Sequence, residues 1–167
     1  MISSVPTGGR VFVDANVLLY AVTEHPVYGE WANTLLDRIS RGEVEGVVSV
    51  IVLNELLHQL VIGEVSHKQG IRPFQAVRYI KEHPDVLSDL VAYEVVEDVE
   101  KNYGLRVVEI GVEAFAFART LMREHRLLSN DALHLAVMQI EAITDLVTND
   151  RDFDRVAGIK VWKPASP

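Results

Sequence analysis

Apolar residues in this 167-residue chain follow two alternating rhythms. Short apolar-rich runs read as strands: Arg10-Val11-Phe12-Val13, Gly46-Val47-Val48-Ser49, Leu105-Arg106-Val107-Val108, Asp145-Leu146-Val147-Thr148 and Ile159-Lys160-Val161-Trp162. Longer stretches between them carry the helical period. One helix is predicted from about Ala15 to Ala21, and a second, after a turn at Pro26, from about Tyr28 to Arg41. Leu53, Leu56, Leu57 and Leu60 then recur at i, i+3, i+4 and i+7, with Gly63 expected to end that helix. Pro73 suits a first helical turn and His83-Pro84 a stop. Ala92, Val95, Val96, Val99 and Tyr103 mark the next helix, with Gly104 as its cap. Ala114, Phe117, Ala118 and Leu121 mark another, and Leu133, Ala136, Val137 and Ile140 a last one beginning near Asn130.

Strands alternating with helices imply an α/β protein with a parallel sheet covered on both faces. No repeat, low-complexity tract or linker interrupts the pattern, so one domain is expected. A chain of this length buries roughly 70% of its unfolded surface, and 49% hydrophobic content supplies the core. Cysteine is absent, which excludes thiolate zinc sites, cysteine nucleophiles and a disulfide scaffold, and suits an intracellular protein. No apolar stretch approaches the roughly 18 residues of a membrane span. The stretch from Met1 to Arg10 lacks the pattern of a secretion leader, so a cytoplasmic protein is expected.

Four scattered segments each set an acid against apolar residues: Phe12-Val13-Asp14-Ala15-Asn16, Leu53-Asn54-Glu55-Leu56, Ser129-Asn130-Asp131-Ala132-Leu133 and Val147-Thr148-Asn149-Asp150. Acids fixed together beside a core repel one another unless a cation neutralises them. Asp14 and Asp150 fall just beyond the first and fourth strands, at the edge where open α/β sheets bind ligands. Asp131 and Glu55 fall in the first turns of helices that face the same edge. Such a cluster suits magnesium or manganese better than zinc, and metal-assisted chemistry on a phosphodiester. Asn16 and Thr148 are placed to orient the carboxylates, and Asp152 is a fifth nearby acid. The net charge of −8 weighs against a broad phosphate-gripping surface, though bound cations would reverse the local sign.

Each acid also has an ordinary explanation. Asp14 and Asp131 (or Ser129) are competent helix caps, Asp150 a turn former, and Glu55 a solvated helix residue. His58 and His134 follow candidate acids by one helical turn, as phosphate contacts or, more commonly, as paired or exposed side chains. Phe153 is expected to plug the core and Asp154 to be solvated. Arg119, Arg123 and Arg126 with His125 make a basic helix end, structural first and RNA-contacting second.

Taken in order, Val13-Asp14-Ala15-Asn16, Val52-Leu53-Asn54-Glu55-Leu56, Asn130-Asp131-Ala132-Leu133-His134-Leu135-Ala136 and Thr148-Asn149-Asp150-Arg151-Asp152-Phe153 resemble the PIN-domain ribonucleases, in particular the VapC-like toxins of toxin–antitoxin pairs. The resemblance spans nearly the whole chain. It implies a three-layer α/β/α sandwich with a central parallel sheet, and Mg2+- or Mn2+-dependent endoribonuclease activity on RNA. It assigns Asp14, Glu55, Asp131 and Asp150 as the catalytic, metal-holding quartet, supported by Asn16 and Thr148. It also implies an antitoxin protein as partner and frequent homodimers. The stretch at about 63–104 is longer and more helical than in compact toxins and reads as a helical insertion within a single PIN-like domain of residues 1–167.

Other readings compete. PIN nucleases also serve in ribosomal-RNA processing and RNA decay. An aspartyl phosphatase of the haloacid-dehalogenase type resembles the strand ending in Asp14, but Asn16 stands where that family has its second Asp. A receiver domain fails because Leu105 to Ile110 offers only Glu109. A non-enzymatic α/β interaction module, with its carboxylates as caps, accounts equally for the apolar stripes.

Overall fold

The computed structural model describes residues 5–165, so the ends of the N-terminal stretch and of the domain reading above lie outside the described residues. Five strands form one sheet: β1 (Arg10–Val13), β2 (Glu45–Ser49), β3 (Arg106–Val108), β4 (Asp145–Val147) and β5 (Lys160–Trp162). Their order is β3-β2-β1-β4-β5, and every pairing is parallel. Phe12 of β1 pairs with Val47 on one side and Leu146 on the other. Val11, Phe12 and Val13 are all but fully buried, because β1 is central and covered on both faces.

The connections explain the layers. From β1 through β2 to β3 the chain steps in one direction across the sheet, by way of α1 (Ala15–Val22), α2 (Gly29–Ser40), α3 (Val50–Gln69), α4 (Pro73–Glu82) and α5 (Ala92–Asn102). It then returns from β3 to β4 through α6 (Val112–His125) and α7 (Ser129–Ile140). Right-handed crossovers that run in opposite directions place their helices on opposite faces. Accordingly α6 packs on α7, while α1 packs on α2 and α3. The result is the three-layer α/β/α sandwich, and the reversal of direction beside β1 makes the carboxyl ends of β1 and β4 the natural cleft. Among the described residues no helix is long and apolar enough to cross a membrane.

Most expected elements stand within a residue or two of their predicted ends. One departs clearly: Gly63 does not stop α3, which continues to Gln69 and ends at Gly70 with φ +63°. A second apolar cluster holds the extra turns in place. Val65, Ala76, Leu90 and Ala92 are buried there, with Leu60, Val61 and Ile62 packed against them. Burying that stripe outweighs the roughly 1 kcal/mol helix cost of a glycine. A Cβ at Gly63 would meet nothing within 4 Å. Gly63→Ala should therefore raise stability by about 0.5–1 kcal/mol in urea melts; a loss would show that the position needs its glycine. Phe117 is a second departure, since it is 38% exposed while Ala114, Ala118 and Leu121 form the buried stripe of α6.

Candidate active site

Asp14 occupies the N-cap position of α1, yet its side chain makes no capping hydrogen bond. Its Oδ2 instead accepts from Asn16 Nδ2 at 2.6 Å and from the Thr148 hydroxyl. Thr148, fully buried beyond β4, is the hub of this edge. Its Oγ1 also accepts from Asn16 Nδ2 at 3.0 Å and from the Asp150 amide at 2.9 Å. Asn16 Oδ1 in turn accepts from the Asn149 amide at 3.3 Å. The end of β1 and the loop after β4 are thus tied together through Asn16 and Thr148.

Glu55, in the second turn of α3, is far from a solvated helix residue. Its Oε1 accepts from Asn130 Nδ2 at 2.6 Å, and its Oε2 lies 3.1 Å from His134 Nε2. His134 is 2% exposed, with its ring 5.6 Å from that of Phe12 and no hydrogen-bond partner for Nδ1 among the described residues. Leu128, rather than Ser129 or Asp131, is the N-cap of α7, so Asp131 is free of that duty. Asp150 keeps its expected turn role, since its Oδ1 accepts from the Asp152 amide at 2.8 Å. Asp152 Oδ1 accepts from Arg155 Nη1 at 2.9 Å at the rim.

The acids converge as two groups. Asp14, Glu55 and His134 bring one donor atom each within 4.8 Å of one another, and so do Asp131, Asp150 and Asp152. The two groups feel each other electrostatically. Burial, then the charge of Asp150, push the Asp131 carboxyl up to about 6, with Asp14 and Asp152 adding to the rise and His134 opposing it. Burial also raises Asp14, against the pull of His134 and the Thr148 hydrogen bond. For Glu55, burial pushes up but the hydrogen bond and charge of His134, with Asn130, outweigh it and hold the carboxyl low. Burial works to lower His134, yet Glu55, Asp14 and Asp131 together raise it. The carboxylates around His134 thus favour its protonated form, and the repulsion among the acids centres on Asp131.

Sequence reasoning did not single out Asn130 as a site residue, and it left His134 between two roles. The helical spacing from Asp131 to His134 was the available signal, but only the convergence of the first turns of α3 and α7 at the carboxyl edge of the sheet brings Asn130 and His134 to Glu55. His58, by contrast, is exposed and lines an apolar groove of about 750 Å³ with Leu19, Leu60 and Val95, apart from the acids. Phe153 is buried as expected, and Asp154 pairs with Lys163 at 2.6 Å. At the basic end of α6, Arg126 takes φ +57° and Arg155 caps the carbonyls of His125 and Arg126 at 3.0 and 2.8 Å.

Comparison with known proteins agrees with this geometry. Residues 11–159 match the PIN domain family. Ribonuclease VapC13 of Mycobacterium tuberculosis is 30% identical over 90% of this chain and 97% of its own. Ribonuclease VapC2 of Methanocaldococcus jannaschii is 24% identical over 91% and 92%. In fold, the chain is similar to one from the crystal structure of VapBC2 from Rickettsia felis bound to a DNA fragment from their promoter, with a TM-score of 0.60, 16% identity, and 92% and 98% of the two chains covered. With acids gathered at the carboxyl edge of a parallel sheet and a family match across nearly its whole length, the chain belongs to the PIN-domain family and is of the VapC-like type.

Proposed function

We propose that this protein is a divalent-metal-dependent endoribonuclease and the toxin half of a toxin–antitoxin pair. One observation carries the reading: two groups of donors meet at the switch point of the sheet, where burial, together with the charge of the neighbouring acids, raises Asp131. Five of the six donor residues are carboxylates, a set that fits a hard, oxygen-preferring cation such as magnesium or manganese. Such an ion, when bound, supplies charge to the scissile phosphate and a water that ionises near neutral pH. The catalytic and metal-holding residues in this reading are Asp14, Glu55, Asp131 and Asp150.

The chain's own residues do the positioning. Asn16 and Thr148 hold Asp14 by Oδ2 and leave Oδ1 without a side-chain donor among the described residues. Asn130 and His134 grip Glu55 at both oxygens, which fixes its plane and keeps it ionised as a proton acceptor for the attacking water. Arg155 restrains Asp152 at the rim. We read the whole chain as one domain in which residues 63–104 elaborate the helical face, acting in the cytoplasm, as a homodimer, and blocked by an antitoxin. The names of the ribonuclease relatives and of the VapBC2 neighbour support the nuclease and toxin–antitoxin parts of that reading.

The test uses the purified chain and end-labelled single-stranded RNA. Cleavage should require added magnesium or manganese, stop with EDTA, and return when excess metal is restored. Equal cleavage with and without EDTA, or none with either metal, would defeat the proposal.

A further inference from the structure

Where α1 runs into α2, three rings meet. Tyr20 and His25 have centroids 4.9 Å apart, and Tyr28 lies 5.0 Å from each of them. His25 and Tyr28 are stacked within 14° of parallel. All three are half-buried, so each keeps part of its surface open. The triad is fastened to the loop that carries Asp150: Asn149 Nδ2 donates to the Tyr20 hydroxyl at 3.1 Å, while the Asn149 amide donates to Asn16. Tyr20 also follows Asn16 by four residues, on the same side of α1.

Local structure explains only part of this grouping. His25 Nδ1 accepts from the amides of Val27 and Tyr28, both at 3.2 Å, which shapes the entry to α2. That role uses one imidazole nitrogen and needs neither tyrosine. In the neutral ring it places the proton on Nε2, which has no protein acceptor among the described residues. Charge makes the same point from another side. The chain carries a net −8, and two of the cations around the acids are committed, Arg155 to Asp152 and the end of α6, and Lys163 to Asp154, which leaves Arg151 beside Asp150. Proteins that hold single strands combine a cationic groove with aromatic stacking. Where cations are scarce, stacking has to carry more of the grip.

We infer that Tyr20, His25 and Tyr28 form a stacking subsite for an unpaired base of single-stranded RNA, beside the phosphate addressed by the acids. The inference rests on the ribonuclease reading. It extends that reading from the scissile phosphate to a neighbouring base, which is recognised by its flat face rather than by its hydrogen-bonding edge. Tolerance of base identity at that nucleotide follows.

The experiment compares two probes, a fluorescein-labelled ten-nucleotide single-stranded RNA and an abasic strand of the same length. Binding to the full chain is followed by fluorescence anisotropy in calcium, and cutting is then read on a gel after manganese is added to the same samples. Both probes meet the same acids, so their difference isolates the bases. Wild type should prefer the RNA. Tyr28→Ala should lose on the order of tenfold or more in affinity for the RNA and nothing for the abasic strand, and Tyr28→Trp should restore the preference. Tyr28 makes no side-chain capping bond to α2, and thermal melts check that both variants are folded. Equal affinity of wild type and Tyr28→Ala for the RNA overturns the inference, as does a wild type that binds both probes alike. If wild type instead shows the preference but leaves the RNA intact in manganese, the stacking subsite stands and the ribonuclease reading falls.

Discussion

Asp14→Asn is expected to lower RNA cleavage on the order of 10²–10³-fold or more while leaving the protein folded. Asp14 is 8% exposed, and burial raises its carboxyl, so in the metal-free protein its charge is a burden on the fold. Asparagine has nearly the same shape and removes that charge. Its amide oxygen can still accept from Asn16 and Thr148, so the tie between β1 and the loop after β4 survives. What is lost is an anionic oxygen of the proposed cation site, and with it the charge on which the proposed chemistry depends. Single-turnover cleavage and thermal melting, run on one preparation, separate the two effects. Activity within tenfold of wild type would remove Asp14 from the mechanism; a collapsed melt would assign it to the fold.

Why was Asp14 legible in the sequence while its partners were not? The run Val11-Phe12-Val13 is apolar because β1 is buried on both faces, so the polar residue that ends it marks the carboxyl edge of the sheet. The same logic exposes Asp150 after β4, and the fold class follows from strands and helices taking turns. These signals are local in the chain. The pairing of Glu55 with Asn130 and His134 spans 75 and 79 residues and depends on how two helices meet, which no periodicity encodes. Gly63 misled for a related reason: glycine propensity is local, whereas the cluster around Val65 and Leu90 that holds α3 together is tertiary. Phe117 matched the helical stripe of α6 by spacing, but Ala114, Ala118 and Leu121 form the line that the fold buries, and the larger ring falls outside it.

The division of the acids into two groups separates roles that the sequence had merged into one quartet. Glu55 is doubly gripped and held low, so it is a fixed anion whatever occupies the site. Asp131 has the opposite character, being raised by burial and by its acidic neighbours, and free of capping duty. It is therefore the group whose charge state should respond most to a cation.

That contrast gives the second large effect, which is on stability. In EDTA, stability should fall as pH rises from about 4 to 6. Asp131 has an ordinary pKa of 3.8 and is raised to about 6 in the fold, so the folded chain binds the extra proton across this window and each step upward removes stability. Asp14, raised in the same direction, adds to the decline. His134 extends it above 6.5, because its raised folded pKa means that its stabilising proton is lost as pH climbs further. Glu55, held low, works the other way, but its contribution is complete above about 4.5 and leaves the slope beyond that point unchanged. Metal competes with the same protons. Manganese at a hundredfold excess over its dissociation constant should add about 2.7 kcal/mol, or about 5–10 °C in melting temperature, and its effect should be largest above pH 6. Asp131→Asn should flatten the decline between pH 4 and 6, raise the metal-free melting temperature at pH 7, and remove most of the response to manganese. Opposite signs from one substitution, a more stable chain without metal and a less responsive one with it, distinguish a metal ligand from a structural cap, whose loss would lower stability under both conditions. A melting temperature that rises steadily from pH 4 to 6.5 in EDTA and ignores manganese would show that these carboxylates are not held against one another for a cation.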